Sequence, residues 1–362
     1  QQTFTFARSS PEPEMESIFE YIFAPEPNHL YGDEKKVLAE RELTVSTAIN
    51  EALAEELARD DRVYLIGEDV RLGGYFVVTQ GLVDAFGPGR IIDTPISEYA
   101  IVGSCVGAAM TGMRPVAEIE FSDFITCCMD PLVNQAAKLR FMSGGQYQLP
   151  LVVRCPGGAG IGMAAQHSQS LEAWLLQIPG LIIMAPGTAY DAKGLLKSSI
   201  RSNNPVLFFE NKLLYFESGP VPEEDYLVPI GRAEVKRIGE DVTVVAVGAM
   251  LGLALEASRR ILKEGIQVEV VDPRTLSPCD WRTIADSANK TGRVVVLEGG
   301  ALTGGFGAEC SARVTEMAWD ALKKPVKRVA AYDVPIPYNR ALENAVVPDT
   351  ERVLQDIRGL FN

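Results

Sequence analysis

The strongest constraint on the fold is a rhythm in which short, continuous apolar runs recur between longer stretches with helical periodicity. The first run is Val63-Tyr64-Leu65-Ile66. Arg90–Asp93, Pro115–Phe121, Leu149–Arg154, Leu181–Ala185 and Val206–Glu210 follow it. Runs with no polar alternation suit strands buried on both faces, as in a mainly parallel sheet covered by helices. Helices are expected between them over 99–112, 125–141 and 189–202. An earlier one is marked by Ile49, Leu53 and Leu57 with Ala48 and Ala52 on one face.

A second alternating block contains Val242–Val247, Gln267–Val271, Arg293–Leu297 and Val326–Ala330. The stretch Gly219-Pro220-Val221-Pro222-Glu223-Glu224 before it reads as a linker. The expected architecture is therefore α/β, with two doubly wound domains at 41–226 and 227–362. Residues 1–40 are rich in Pro, Glu and aromatics (Ser10-Pro11-Glu12-Pro13-Glu14, Phe23-Ala24-Pro25-Glu26-Pro27) and show no sustained period. They are expected to lie over a neighbour or to stay mobile, with His29 at the surface.

Charge and cysteine usage narrow the function. There are 34 basic and 48 acidic side chains, a net charge of −14, which argues against nucleic-acid and membrane-surface partners. The six cysteines (Cys105, Cys127, Cys128, Cys155, Cys279 and Cys310) form no Cys-x-x-Cys, and only His29 and His167 could join them, so a zinc site is not expected. Small buried thiols in a reducing compartment are the simpler reading. The apolar stretches Tyr99–Val116 and Val242–Ala257 are broken by glycines or turns and do not read as membrane spans. No signal peptide is visible.

Ligands of open α/β sheets bind beyond the carboxyl ends of the strands. Glu68, Glu98 and Glu120 to Phe124 fall at such ends, and the next run leads through Pro156-Gly157-Gly158-Ala159-Gly160 to Gln166-His167-Ser168-Gln169. In Thr94-Pro95-Ile96-Ser97-Glu98, Pro95 keeps Thr94 extended and Ser97 can cap a helix whose first turn holds Glu98. A carboxylate there also complements the helix dipole, so position alone leaves both readings open. The helix carries Gly103, Gly107, Ala108, Ala109 and Gly112, as if another element packs close. His167 follows glycines that let backbone approach a ligand; a loop histidine bonded to Ser168 or Gln169 is the equal alternative. Neither glycine run fits a phosphate-binding pattern, and Gly304-Gly305-Phe306-Gly307 reads as a strand-to-helix turn. Phe124 could stack on a cofactor or simply be core.

Asp93-Thr94-Pro95-Ile96-Ser97-Glu98, taken with Ala164-Ala165-Gln166-His167-Ser168, resembles the β subunit of thiamine-diphosphate-dependent 2-oxo acid dehydrogenases of the pyruvate, branched-chain and acetoin types. Phe141-Met142-Ser143-Gly144-Gly145, Asn203-Asn204-Pro205-Val206, Leu297-Glu298-Gly299-Gly300 and Asp333-Val334-Pro335-Ile336-Pro337-Tyr338 extend the likeness from Leu43 to the C-terminus. The resemblance implies a pyrimidine-binding domain followed by a transketolase C-terminal-like domain, in an α₂β₂ heterotetramer. The α subunit would hold the diphosphate and Mg²⁺ through a Gly-Asp-Gly motif that this chain lacks. Glu98 would bond the aminopyrimidine ring nitrogen and favour the imino tautomer that activates the thiazolium carbon. Phe124 would pack on the ring, Glu68 and Ile96 would line the pocket, and His167 would donate a proton or meet the lipoyl group of the acyltransferase component.

The resemblance further implies a structural potassium ion at Leu151, Ser199, Ile200, Ser202 and Asn204, where Ser202 replaces an Asp of some relatives. It places the chain in a bacterial cytoplasm or an organelle matrix. An acetoin-cleaving or split transketolase-like subunit is the competing enzyme reading, and a scaffold subunit with a decayed site is the non-enzymatic one.

Overall fold

Val, Ile and Leu dominate the runs that form strands, because β-branched and apolar side chains fit a sheet buried on both faces. The computed structural model describes residues 1–362 apart from Pro13, Lys35, Leu38 and Glu40, so Pro13 of the acidic proline-rich stretch lies outside the described residues. The strands are β1 (Arg41–Thr44), β2 (Val63–Gly67), β3 (Ile91–Asp93), β4 (Arg114–Glu118), β5 (Val152–Gly157), β6 (Ile182–Met184) and β7 (Val206–Asn211). After them come β8 (Ser218–Val221), β9 (Glu234–Arg237), β10 (Val242–Ala246), β11 (Val268–Asp272), β12 (Thr275–Ser277), β13 (Val294–Ala301) and β14 (Lys327–Ala331). The larger sheet has the order β12-β6-β7-β5-β4-β2-β3, parallel except for β12. Its register brings Leu65 beside Ile91 and Val116, and Val116 beside Val152. The second sheet runs β14-β13-β10-β11-β9, antiparallel only at β9. Every residue of β4, β5, β6, β10 and β11 is buried, the pattern expected of strands sandwiched by helices.

The helix Val45–Arg59 buries Ala48, Ile49, Ala52, Leu53 and Leu57, and Thr44 caps it by accepting from the Thr47 amide at 3.2 Å. It packs on the helix Ala189–Arg201, whose Lys193 and Lys197 are buried against Glu51 and Glu55. One core cluster runs from Ile101, Leu151 and Ile183 of the first domain to Val271, Val296 and Phe306 of the second. Among the described residues no helix is long and apolar enough to cross a membrane.

Three segments depart from a plain reading of the pattern. The run 125–141 is not one helix but a 3₁₀ turn (Ser122–Cys128), a wide turn (Asp130–Ala136) and a short helix (Leu139–Met142), because Pro131 has no N–H to continue the ladder. Half of the expected linker is β8, which pairs antiparallel with β1, Thr44 opposite Ser218 and Arg41 opposite Val221. β12 leaves the second domain and joins the edge of the first sheet beside β6.

The N-terminal extension is partly docked. Residues 24–34 form a strap in which Leu30 is fully buried and its carbonyl accepts from the Ile230 amide at 2.7 Å. Glu26 accepts from the Asn203 amide (2.8 Å) and from Asn204 Nδ2 (2.6 Å), and Glu34 pairs with the buried Arg274 at 2.9 Å. The helix Gln2–Ser9 buries nothing, and His29 is exposed.

Candidate functional site

Because β3, β2, β4 and β5 are adjacent and parallel, their carboxyl ends form one edge. Glu68 directly follows β2, Glu98 follows β3 after a short turn, Glu120 lies two residues past β4, and the loop after β5 returns with His167. The sheet order therefore sets three carboxylates and the imidazole along one rim. Thr94 leaves β3 with its amide bonded to the Gly67 carbonyl at 3.0 Å. Ser97 then caps the helix Glu98–Met110 by accepting from the Ala100 amide at 3.4 Å, which fixes Glu98 in its first turn. Ile96 projects from the same turn, 82% exposed.

The rim concentrates negative charge. Burial, then Glu120, Glu98 and Asp69, push the Glu68 carboxyl up to about 7. Burial, Asp69 and Glu98 likewise raise Glu120, opposed by His167. Like charges held together in this way favour keeping a proton among them. The imidazole stands edge-on to Phe121 and Phe124, with ring centroids 4.6 and 5.4 Å away. Gly158, at φ +85, turns the chain into this loop, and a Cβ at Gly157 would collide with Ser122. Lys212 donates to the His167 carbonyl and lies 5.2 Å over the Phe121 ring; burial pushes it down to about 8.

Glu68, Ile96, Glu98, Phe124 and His167 thus share one rim. Asp69, Glu120, Phe121 and Lys212 also belong to it. The only sequence signal for them was a polar or aromatic residue at the end of an apolar run. Thr94 Oγ1 and Asp123 Oδ2 are buried there without a partner among the described residues. Orphaned acceptors beside carboxylates and a half-buried aromatic ring suit a flat, hydrogen-bonding heterocycle. Part of the small-residue face of the helix Glu98–Met110 is left open among the described residues: Gly107 has nothing within 4 Å of a built Cβ, and Ser104 and Gly107 are exposed.

The positions expected to hold potassium cluster, and their described backbone oxygens already accept hydrogen bonds within the chain. The carbonyls of Ile200 and Ser202 accept from the Arg114 guanidinium, the former at 2.8 Å. Leu151 O accepts from the Val206 amide at 2.9 Å, and Ser199 O from the Ser202 amide at 3.2 Å. A fixed guanidinium repels a second cation drawn to the same oxygens.

The chain matches the transketolase pyrimidine-binding domain over residues 41–217 and the transketolase C-terminal domain over 231–353. It is 45% identical over 316 residues to the 2-oxoisovalerate dehydrogenase β subunit of Bacillus subtilis, covering 86% of this chain and 97% of that one. It is 44% identical over 324 residues to the mitochondrial pyruvate dehydrogenase E1 β subunit of Dictyostelium discoideum, covering 88% and 91%. It is 43% identical over 327 residues to the B. subtilis acetoin:2,6-dichlorophenolindophenol oxidoreductase β subunit, covering 87% and 96%. A solved split-gene transketolase, described as an inactive β4 tetramer, shares the fold with TM-score 0.71 at 24% identity, over 88% of this chain and 98% of that one.

Proposed function

The chain belongs to the E1 β subunits of the 2-oxo acid dehydrogenases, and we propose that its rim forms the aminopyrimidine half of a thiamine diphosphate site completed by an α subunit. The observation that carries this reading is the convergence of Glu98, Glu68 and Phe124 at adjacent strand ends, with orphaned acceptors beside them. Glu98 would hold the ring nitrogen, Phe124 would pack on the ring, and Glu68 and Ile96 would line its edge. The α subunit would bring the diphosphate end and Mg²⁺. When bound, thiamine diphosphate supplies a nucleophilic carbon and an electron sink for loss of carbon dioxide.

This chain's residues control protons around that chemistry. Glu98 keeps a proton at the ring nitrogen. Glu68 and Glu120, sharing charge with it, form a store from which that proton is replaced. His167, aligned by Phe121 and Phe124, holds a proton toward the substrate oxygen or meets an incoming lipoyl group. The buried Phe121 ring gives the rim an apolar wall.

The proposed reaction is oxidative decarboxylation of a 2-oxo acid, pyruvate in the first instance, with transfer of the acyl group to a lipoyl arm of the acyltransferase component. Identities of 45% and 43% to 2-oxoisovalerate and acetoin relatives favour a second substrate reading of the same site. Reconstitution with the α chain tests the role of Glu98. Glu98→Gln should assemble normally and lose roughly 10²–10⁴-fold in decarboxylation. Wild-type turnover from that variant would sink the assignment, and parallel assays with pyruvate, 2-oxoisovalerate and acetoin separate the substrates.

A further inference from the structure

Behind the loop that carries His167 lies a second cavity, about 600 Å³, between the two domains. Its volume falls in the range of sites for organic ligands. Ser168 and Glu172 face it from the first domain and Glu298 from the second. Three acidic side chains line it, the third being Asp333, and no basic one does.

Glu298 is 5% exposed and held in place. Its Oε1 accepts from the Gly307 amide at 2.8 Å, at the start of the helix Phe306–Ala318, and a Cβ at Gly305 would lie 2.5 Å from both of its oxygens. Glu172 opens the short helix Glu172–Leu176 on the opposite wall. Burial pushes both carboxyls up to about 7; Glu298 adds to the rise at Glu172, while the Gly307 and Phe306 amides and Arg328 oppose it at Glu298. Ser168 is 2% exposed, and its hydroxyl has no partner among the described residues. Buried hydroxyls are nearly always hydrogen-bonded, so this one points to an acceptor or donor from outside the chain. Trp174, half exposed, and the buried Leu276 and Phe306 supply an apolar wall.

We propose that this interdomain cavity binds an organic cation, a primary amine or guanidinium on a small apolar arm, between Glu172 and Glu298. Two carboxyls lining one cleft gain from a cation placed between them. Trp174 offers its ring to the same charge, and Ser168 can accept from the ammonium or guanidinium. Occupancy reaches the catalytic rim through the next residue of the wall. The Gln169 carbonyl accepts from Ser122 Oγ at 3.0 Å, and its side chain donates to Asp123 at 2.8 Å, beside Phe124. A ligand held by Ser168 and Glu172 restrains the segment that presents His167. The cation could be a free amine or a lysine or arginine side chain of an assembled partner.

Isothermal titration calorimetry with 2-phenylethylamine, its neutral analogue 2-phenylethanol and the anionic 3-phenylpropionate tests this on the full chain, alone and assembled with the α subunit. The amine should bind at least tenfold more tightly than either analogue. Glu172→Gln and Ser168→Ala, checked for an unchanged melting temperature, should each weaken it, the former tenfold or more. Binding in both states supports a free amine. Binding to the chain alone, lost on assembly, supports a cationic side chain of the partner in the same place. Equal affinity for amine, alcohol and acid, or an amine affinity unmoved by Glu172→Gln, overturns the proposal. Because the readout is binding, the result is independent of whether the Glu98 rim proves catalytic.

Discussion

Gln169 donates its side-chain amide to Asp123 Oδ1 at 2.8 Å, tying the loop that carries His167 to the turn that carries Phe124. The Gln169 backbone amide reaches the same oxygen at 3.3 Å, and Asp123 is 4% exposed. The two aromatic neighbours of the imidazole are thus fixed relative to it by a buried polar contact rather than by packing alone.

Asp123→Ala should therefore strand two partly buried donors of Gln169. Stability should fall by about 1–3 kcal/mol, read from urea unfolding. Turnover of the reconstituted enzyme should fall further than that of Thr126→Ala, a control on the exposed side of the same turn.

Glu68 and Glu120 are both raised, and Glu120 is the largest charged contributor to the rise at Glu68. Glu68 has its folded pKa raised to about 7, above the usual carboxylate value, so the folded state holds its proton more tightly than the unfolded one. Its contribution to stability then decreases as pH rises through the window from about 4.5 to 7 and is level beyond it. Glu120→Gln removes the neighbouring carboxylate that contributes most to the rise. The Glu68 titration, followed by carboxyl carbon NMR, should move toward the ordinary range, and an unchanged midpoint would contradict the shared-charge account.

Arg154 is wholly buried between Glu118 and Glu210, donating to Glu210 at 2.6 and 2.8 Å and to Glu118. Tyr215 donates to the same Glu210 at 2.6 Å. Arg154→Met would leave two carboxylates buried without a counter-charge beneath the rim. A loss of about 3–5 kcal/mol is expected in chemical denaturation.

Leu30 anchors the strap with no exposed surface. Leu30→Ala should cost about 2–5 kcal/mol, whereas deletion of residues 1–20 should leave the melting temperature unchanged, since the helix Gln2–Ser9 buries nothing.

Arg114 holds the carbonyls of Ile200 and Ser202. Exchange of potassium for sodium at constant ionic strength should therefore leave the melting temperature unchanged. A rise specific to potassium would show that the guanidinium yields its place.

Much of this fold was legible because continuous apolar runs leave few alternatives to buried parallel strands. Glu98 and His167 fell where strand ends in such sheets face ligands, but position left a plain reading open for each, and the motif resemblance singled them out. Other features carried no comparable signal. β12 is only Thr275-Leu276-Ser277, too short for a period, and its pairing with β6 is decided by a sheet edge nearly a hundred residues away in the chain. Leu30 is a lone apolar residue among polar ones, so its burial follows from the groove it meets. Lys212 looked like an ordinary strand-end polar residue, and only the sheet order brings it to the rim that Glu120 had marked. The break at Pro131 was readable from the proline itself, and the apolar periodicity on either side concealed it.

The pairing of β12 with β6 makes the two domains unequal partners. A fragment ending at residue 226 would lose the strand that covers Ile182–Met184, exposing the amide and carbonyl edge of a fully apolar strand. Such a fragment should self-associate through that edge rather than remain as a free pyrimidine-binding module. The second domain acts as a built-in cap on the first, so the two halves of this chain are not interchangeable cassettes.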